Sequence, residues 1–101
     1  MILYNVTVNI DVIKEKEYVE WMKNIHIPEV MATGLFEESR FFKLLLEVED
    51  GTVNYSTQYL AERMEKIQEY QDNFAPILQE KLRIRFGNHF VAFRSLLESV
   101  E

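Results

Sequence analysis

The chain of 101 residues contains 17 acidic and 11 basic side chains, has a formal net charge of −6, and lacks cysteine. This length predicts one domain, residues 1–101, built around one core. The negative charge argues against nucleic acid or an anionic membrane as partner, because both are bound by clustered basic residues. Without cysteine there can be no disulfides or thiolate metal ligands. Together with the absence of a signal-like or membrane-spanning apolar run, this favours a cytoplasmic setting.

Alternation of apolar and polar residues predicts the first strand from Ile2 to Ile10. A period of two places one set of side chains against a core and the other set on the opposite face. The inward set is Ile2, Tyr4, Val6, Val8 and Ile10.

A helical pattern follows from about Val12 to Ile25, and it ends before Pro28. At about 100° per residue, one side of this helix is apolar and also carries a histidine. The members of this inward arc are Tyr18, Val19, Trp21, Met22, Ile25 and His26. An inward histidine is either bonded to a core partner or serves as a ligand contact or proton-transfer group, and the sequence leaves both interpretations open. Pro28 and Gly34 bracket a short second helical segment.

The Asp50-Gly51 pair between two apolar segments predicts a hairpin with a two-residue type I′ turn. The strands would be Phe41–Glu49 and Thr52–Ala61. Counting outward from the turn predicts four pairs on the helix-covered face, namely Val48 with Val53, Leu46 with Tyr55, Leu44 with Thr57 and Phe42 with Tyr59. The same register places Phe41, Leu45 and Leu60 on the opposite face.

The second half of the chain repeats the helix-then-strand order. Apolar residues at helical spacing begin at Met64, and Pro76 suits the first turn of a renewed helix that ends at Gly87-Asn88. The apolar positions of this region are Met64, Ile67, Tyr70, Phe74, Ile77, Leu78 and Leu82. A last strand, Phe90 to Leu97, carries Val91, Phe93 and Leu97 on the side opposite Arg94, so we expect Arg94 at the surface or at a dimer interface.

The element order is strand, helix, strand, strand, helix, strand, which predicts an α+β ferredoxin-like βαββαβ domain. Its four-stranded antiparallel sheet would have two proline-interrupted helices on one face. Two helices leave the other face uncovered. Because that face would carry Phe41, Leu45 and Leu60, we predict a homodimer formed through the sheet faces. The alternative is scattered surface apolar residues that need no partner.

Candidate chemistry is sparse. The two histidines, His26 and His89, have no metal-ligand spacing, and the isolated glycines form no phosphate-binding loop, so we predict no metal and no cofactor. An aromatic-lined space between helix and sheet could hold a small organic ligand, or it could be a filled core. The residues predicted to line it are Tyr4, Trp21, Met22, His26, Tyr55 and Tyr59.

Three segments carry a family resemblance: Met1–Thr7 with Trp21-Met22, His26–Phe36, and Arg85-Phe86-Gly87 with Phe90–Arg94. They resemble an uncharacterised family of short bacterial proteins, mostly from Bacteroidetes, known as a domain of unknown function. The topology is similar to that of the dimeric α/β-barrel superfamily, which includes cofactor-free monooxygenases, haem-degrading monooxygenases, chlorite dismutase-like proteins and small isomerases. The haem-degrading members use Asn, Trp and His. This chain offers Asn5 or Asn9, Trp21 and His26, but on its first half, which argues against haem binding.

These observations leave three hypotheses about function. The first is a homodimer that binds a small molecule between the first helix and the sheet. The second is a cofactor-independent monooxygenase or isomerase in which His26 is the catalytic residue that moves a proton, with Trp21 and Tyr55 or Tyr59 holding an aromatic substrate. The third is a structural or partner-binding dimer without a pocket.

Overall fold

A computed structural model describes residues 1–45 and 50–101. Its strands are β1 (Ile2–Asp11), β2 (Glu38–Lys43), β3 (Thr52–Ala61) and β4 (Phe90–Glu98). Its α-helices are α1 (Glu15–Trp21), α2 (Ile27–Met31), α3 (Met64–Asn73) and α4 (Ala75–Phe86). A 3₁₀ turn, Val12–Lys14, precedes α1, a π-helical segment, Met22–His26, joins α1 to α2, and a second 3₁₀ turn, Gly87–His89, precedes β4.

The four strands form one antiparallel sheet in the order β2-β3-β1-β4. This arrangement confirms the predicted ferredoxin-like α+β fold. The two long central strands, β1 and β3, pair over their whole length from Ile2 opposite Ala61 to Asp11 opposite Thr52. Within the described ranges, no helix is long and apolar enough to cross a membrane.

The alternation in β1 determines which face of the sheet is buried. Tyr4, Val8 and Ile10 point toward the helices and are buried, whereas Asn5 and Asn9 lie on the open face and bond to polar neighbours there. Two adjoining clusters fill the helix-covered side. The first contains Tyr4, Val30, Leu35, Phe36, Tyr59, Ala61, Ile67, Tyr70, Ala75 and Leu78. The second contains Val8, Ile10, Tyr18, Trp21, Met22, Tyr55, Leu82 and Phe86.

The hairpin register differs from the prediction. Lys43 lies opposite Tyr55 and Phe42 opposite Ser56, so the β2 strand is displaced by three residues from the predicted pairing. The displacement is odd and therefore exchanges the two faces of β2. Phe41, predicted on the open face, faces the helices and stacks on Tyr55, with ring centroids 5.3 Å apart. The pairs predicted for Leu46 and Val48 lie outside the described residues.

The turn at Asp50-Gly51 explains part of this difference. Gly51 has a φ of 78°, but Asp50 has no positive φ, so a type I′ turn is excluded. Instead, the Asp50 carboxylate accepts hydrogen bonds from the backbone N–H and the hydroxyl of Thr52. The register was counted from a two-residue type I′ turn, and Asp50-Gly51 does not form that turn.

The last strand has the predicted alternation but the opposite orientation. Val91, Phe93 and Leu97 lie on the open face, because they pair with Asn9, Thr7 and Leu3 of β1. Arg94 pairs with Val6 and therefore faces the helices, which corrects its predicted placement. The apolar side of this edge strand is its uncovered side.

Some apolar residues that were predicted on the core-facing sides of the helices are exposed. Ile25 is one of them, because the π-helical segment rotates it out of the arc that holds Tyr18, Trp21 and Met22. In α3 and α4, Ile67, Tyr70, Leu78 and Leu82 are buried as predicted. The predicted positions that lie at the surface are Met64, Phe74 and Ile77.

Candidate functional site

A partly open cavity, which we call the helix–sheet cavity, lies between the sheet and the helices. The sheet contributes Tyr4, Val6, Val8, Thr57, Tyr59 and Arg94. The helical elements contribute Tyr18, Met22, His26, Tyr70, Gln79 and Leu82. The space between these walls and across the mouth is about 400 Å³, but only about 30 Å³ is wide enough for the centre of a water molecule. That inner space corresponds to about two water positions.

The π-helical segment places His26 at this cavity. The backbone N–H of Ile27 bonds to the carbonyl of Met22, five residues earlier. In an α-helix, Trp21 and His26 would point about 140° apart, but here their rings stack with centroids 4.9 Å apart. Pro28 favours this winding because it has no N–H to bond to Asn24. Wide turns of this kind are often found at functional sites.

Four buried polar atoms that lack a hydrogen-bond partner among residues 1–45 and 50–101 belong to residues that line this one cavity. They are the hydroxyls of Tyr18, Tyr59 and Thr57 and the Nδ1 atom of His26. The Tyr18 and Thr57 hydroxyls lie close enough for Thr57 to lower the pKa of Tyr18, but they do not form a well-aligned hydrogen bond. A buried polar atom without a partner costs about 1–3 kcal/mol, and most proteins contain few of them. Their presence around one space makes the cavity polar inside an otherwise aromatic wall.

Burial controls the protonation of these groups. It lowers the pKa of His26 from 6.5 to about 4; Glu29 opposes this effect, and the positive charges of Arg94 and Lys81 add to it. Burial also raises the pKa of Tyr18 and of Tyr59 above the ordinary value. At neutral pH the cavity therefore presents a neutral imidazole and neutral hydroxyls, which can both donate and accept hydrogen bonds.

Arg94 is the cationic lining residue. It lowers the pKa of Tyr4, which burial raises more strongly, and it has the same opposing effect on Tyr70. Nearby, Lys81 is paired with Glu29 at 2.9 Å. Within residues 1–45 and 50–101, no carboxylate lies within ion-pair distance of Arg94, so its charge is not neutralised there.

The structure brings together only part of the predicted lining. Tyr4, Met22, His26 and Tyr59 line the cavity. Trp21 is not one of the lining residues; it stacks on His26.

Tyr55 also lies outside the lining. Its hydroxyl donates to Glu15 at 2.7 Å, and Lys43 bonds to the same carboxylate oxygen at 2.8 Å. This carboxylate links the first helix to the sheet, and burial together with Glu15 raises the pKa of Tyr55 to about 12.

Several lining residues were not selected from the sequence. Tyr18 and Tyr70 were predicted as apolar helix positions, Tyr70 also as a possible wall of the aromatic space, and Thr57 was predicted only as a residue of the helix-covered face, whereas Gln79 carried no signal. The alternation of β4 would have placed Arg94 inward if its apolar side had been assigned to the open face. In the described part of the chain, no cluster of three or more histidine, aspartate or glutamate residues could hold a metal ion.

The fold and this cavity define the class of the protein as a ferredoxin-like α+β domain. Residues 1–100 match the model of a domain of unknown function, DUF4286, and the chain belongs to that family. No curated protein matches the chain at a significant level.

Solved structures similar to the chain share its fold at low identity. A dimeric ferredoxin-like protein from an uncultured marine organism is 13% identical, with a TM-score of 0.73 over 100% of this chain and 96% of that one. A second one, also from an uncultured marine organism, is 10% identical, with a TM-score of 0.58 over 99% and 96%. An ethyl tert-butyl ether D (EthD) family protein from Bacillus halodurans is 11% identical, with a TM-score of 0.68 over 99% and 100%.

Proposed function

We propose that this protein binds a small polar aromatic molecule in the helix–sheet cavity. The observation that carries the proposal is the convergence of unpartnered Tyr18, His26, Thr57 and Tyr59 atoms on one partly open space. A filled core gains nothing from such atoms, whereas a ligand with a hydroxyl or carbonyl group would satisfy them. Before a ligand binds, about two ordered waters would fit the inner space and occupy the same positions.

The size of the cavity limits the ligand. Only about 30 Å³ is wide enough for the centre of a water molecule, so the cavity would accept a single polar substituent, and an attached ring would extend toward the opening. Tyr4 and Tyr70 belong to this lining and offer aromatic surfaces for the ring. A planar molecule with one hydroxyl group directed inward fits this arrangement.

Binding is favoured over proton transfer by His26. An efficient general base has a pKa near the working pH, whereas burial holds the pKa of His26 at about 4. An imidazole of that kind is a weak base but a good hydrogen-bond partner. We therefore assign His26 a binding role and keep the monooxygenase or isomerase hypothesis as the alternative.

Two tyrosine-to-phenylalanine variants of β3 test the binding proposal. Tyr59→Phe removes an unpartnered hydroxyl, so we expect about 1 kcal/mol higher stability and at least tenfold weaker binding of 4-hydroxybenzamide. Tyr55→Phe removes a hydroxyl bonded to Glu15, so it should cost about 1 kcal/mol of stability and leave binding unchanged. Thermal unfolding and calorimetric titration measure both effects. Equal losses of stability in the two variants, with no binding by the unmodified protein, would contradict the proposal.

We also propose that two copies associate through the open faces of their sheets. Leu60, Leu3 and Leu97 lie side by side across three strands on this face. A second row contains Phe42 and Phe93, which are 50% and 66% exposed. Burying a few hundred Å² of such surface stabilises association by several kcal/mol before the costs of binding. Two structurally similar proteins are described as dimeric, which supports a second copy as the occupant.

The proposed interface differs from the predicted one. Leu60 stays in it. Phe41 does not, since it faces the helices. Leu45 follows the end of β2 and is 93% exposed. In the proposed interface, Phe41 and Leu45 are replaced by Phe42, Val91, Phe93 and Leu97.

A further inference from the structure

The charged group at the helix–sheet cavity is Arg94, and its surroundings indicate the chemistry of the ligand. Arg94 lies on the edge strand β4, opposite Val6, on the side that faces the helices. It is an exposed residue that also lines the cavity. A ligand held inside could therefore reach its guanidinium group.

The other charges near the cavity do not compete for this position. Lys81 and Glu29 neutralise each other at 2.9 Å, whereas Arg94 has no carboxylate partner in the described parts of the chain. The protein as a whole carries −6, so an unpaired arginine at a cavity is a local exception to its charge. Arginine presents a planar fork of N–H donors, which matches the two oxygens of a carboxylate.

We infer that the ligand is an aromatic carboxylic acid whose carboxylate pairs with Arg94 while a polar group at its other end enters the cavity. This inference rests on the proposed binding function and adds the charge of the ligand to it. A monoanionic carboxylate suits the site better than a phosphate, because a single guanidinium would leave a second negative charge unmatched. Tyr4, Tyr70 and Gln79 would surround the ring between the two polar ends.

Two probes of the same shape separate the carboxylate from the rest of the ligand. The probes are 4-hydroxybenzoate and its neutral amide, 4-hydroxybenzamide. We expect the unmodified protein to bind the carboxylate at least tenfold more tightly than the amide in calorimetric titrations. Arg94→Gln should remove that preference, because it should weaken binding of the carboxylate at least tenfold more than binding of the amide. Arg94→Lys, which keeps the charge but not the fork, should retain part of the preference.

Arg85→Gln is the matched control. Arg85 lies on α4, contacts Glu17 at 3.3 Å and is not a lining residue, so this variant should bind both probes like the unmodified protein. Thermal unfolding of each variant confirms that it is folded.

The outcomes separate the carboxylate inference from the proposed binding function. Equal affinity for both probes, or a preference that survives Arg94→Gln, overturns the carboxylate inference and leaves the binding function standing. Binding of neither probe at millimolar concentration contradicts both.

Discussion

His26 lies in an environment that changes its ordinary chemistry. Its ring stacks on Trp21, its Nδ1 atom has no hydrogen-bond partner in the described part of the chain, and burial lowers its pKa to about 4. A histidine kept for stability alone would be expected to have a bonded ring nitrogen. This contrast favours the ligand-contact interpretation over the structural one.

The depressed pKa of His26 predicts a pH dependence of stability. The unfolded chain binds a proton at His26 below about pH 6.5, whereas the folded protein binds it only below about pH 4. The contribution of His26 is therefore complete above pH 6.5, declines as the pH falls through this window, and is absent below pH 4. The loss amounts to at most about 3 kcal/mol.

The measurement compares the free energy of unfolding of the unmodified protein and of His26→Gln between pH 7 and pH 4. We expect the free energy of unfolding of the unmodified protein to fall, relative to that of His26→Gln, as the pH decreases. His89→Gln removes the other histidine and should retain the His26 component. A difference that stays constant across the window would show that the His26 ring is not buried as described.

Pro28 and the π-helical segment control the position of His26 at the level of the element. Pro28→Ala restores an N–H that can bond to Asn24, and we expect the segment to return toward α-helical winding. The Trp21 and His26 rings would then separate, and the ring-current shift of the His26 protons in NMR spectra would decrease.

Pro76→Ala is a suitable control because Pro76 occupies the first turn of α4, where no intrahelical N–H bond is lost. Unchanged His26 proton shifts in the Pro28→Ala protein would contradict the role given to the proline.

Strands and helices with a clear periodicity of apolar residues were predictable from the sequence, whereas the exact winding of the helices was not. The alternation in β1 predicted its buried side, and Pro76 and Gly87 marked the two ends of α4. Periodicity assumes one uniform helix, so it could not reveal the π turn that exposes Ile25 and stacks His26 on Trp21. The hairpin register failed because it was counted from a type I′ turn, whereas Asp50 has no positive φ, and the register error of three residues reversed the faces of β2.

The open sheet face is the feature that belongs to the whole molecule. Its two central strands carry Leu3 and Leu60 toward one end and a polar group toward the other, where Asn9 bonds to Thr52 and Asn54 at 2.9 and 3.1 Å. Its edges carry exposed apolar residues of β2 and β4, namely Phe42, Val91, Phe93 and Leu97. Apolar side chains beside a bonded polar group would suit a second identical surface, with hydrogen bonds fixing the orientation of the two sheets.

Phe93→Asp tests this association. An aspartate buried in the interface would disfavour the dimer, and we expect light scattering to report a monomer at micromolar concentration. Ile84→Asp, a similar change at a 71% exposed residue of α4, should leave the mass unchanged. A monomeric unmodified protein, or a Phe93→Asp dimer of unchanged affinity, would refute the sheet-to-sheet interface.

If the unpartnered polar atoms around His26 form a ligand site, the nitrogen chemical shifts of the imidazole will respond to the ligand. The chain has two histidines, and His89, bonded to Asp11 at 2.8 Å, provides the internal reference. On titration with 4-hydroxybenzamide at pH 7, we expect a saturable change in the chemical shift of His26 Nδ1, whereas the His89 resonances should not change. An unchanged His26 Nδ1, or equal small shifts at both histidines, would contradict it.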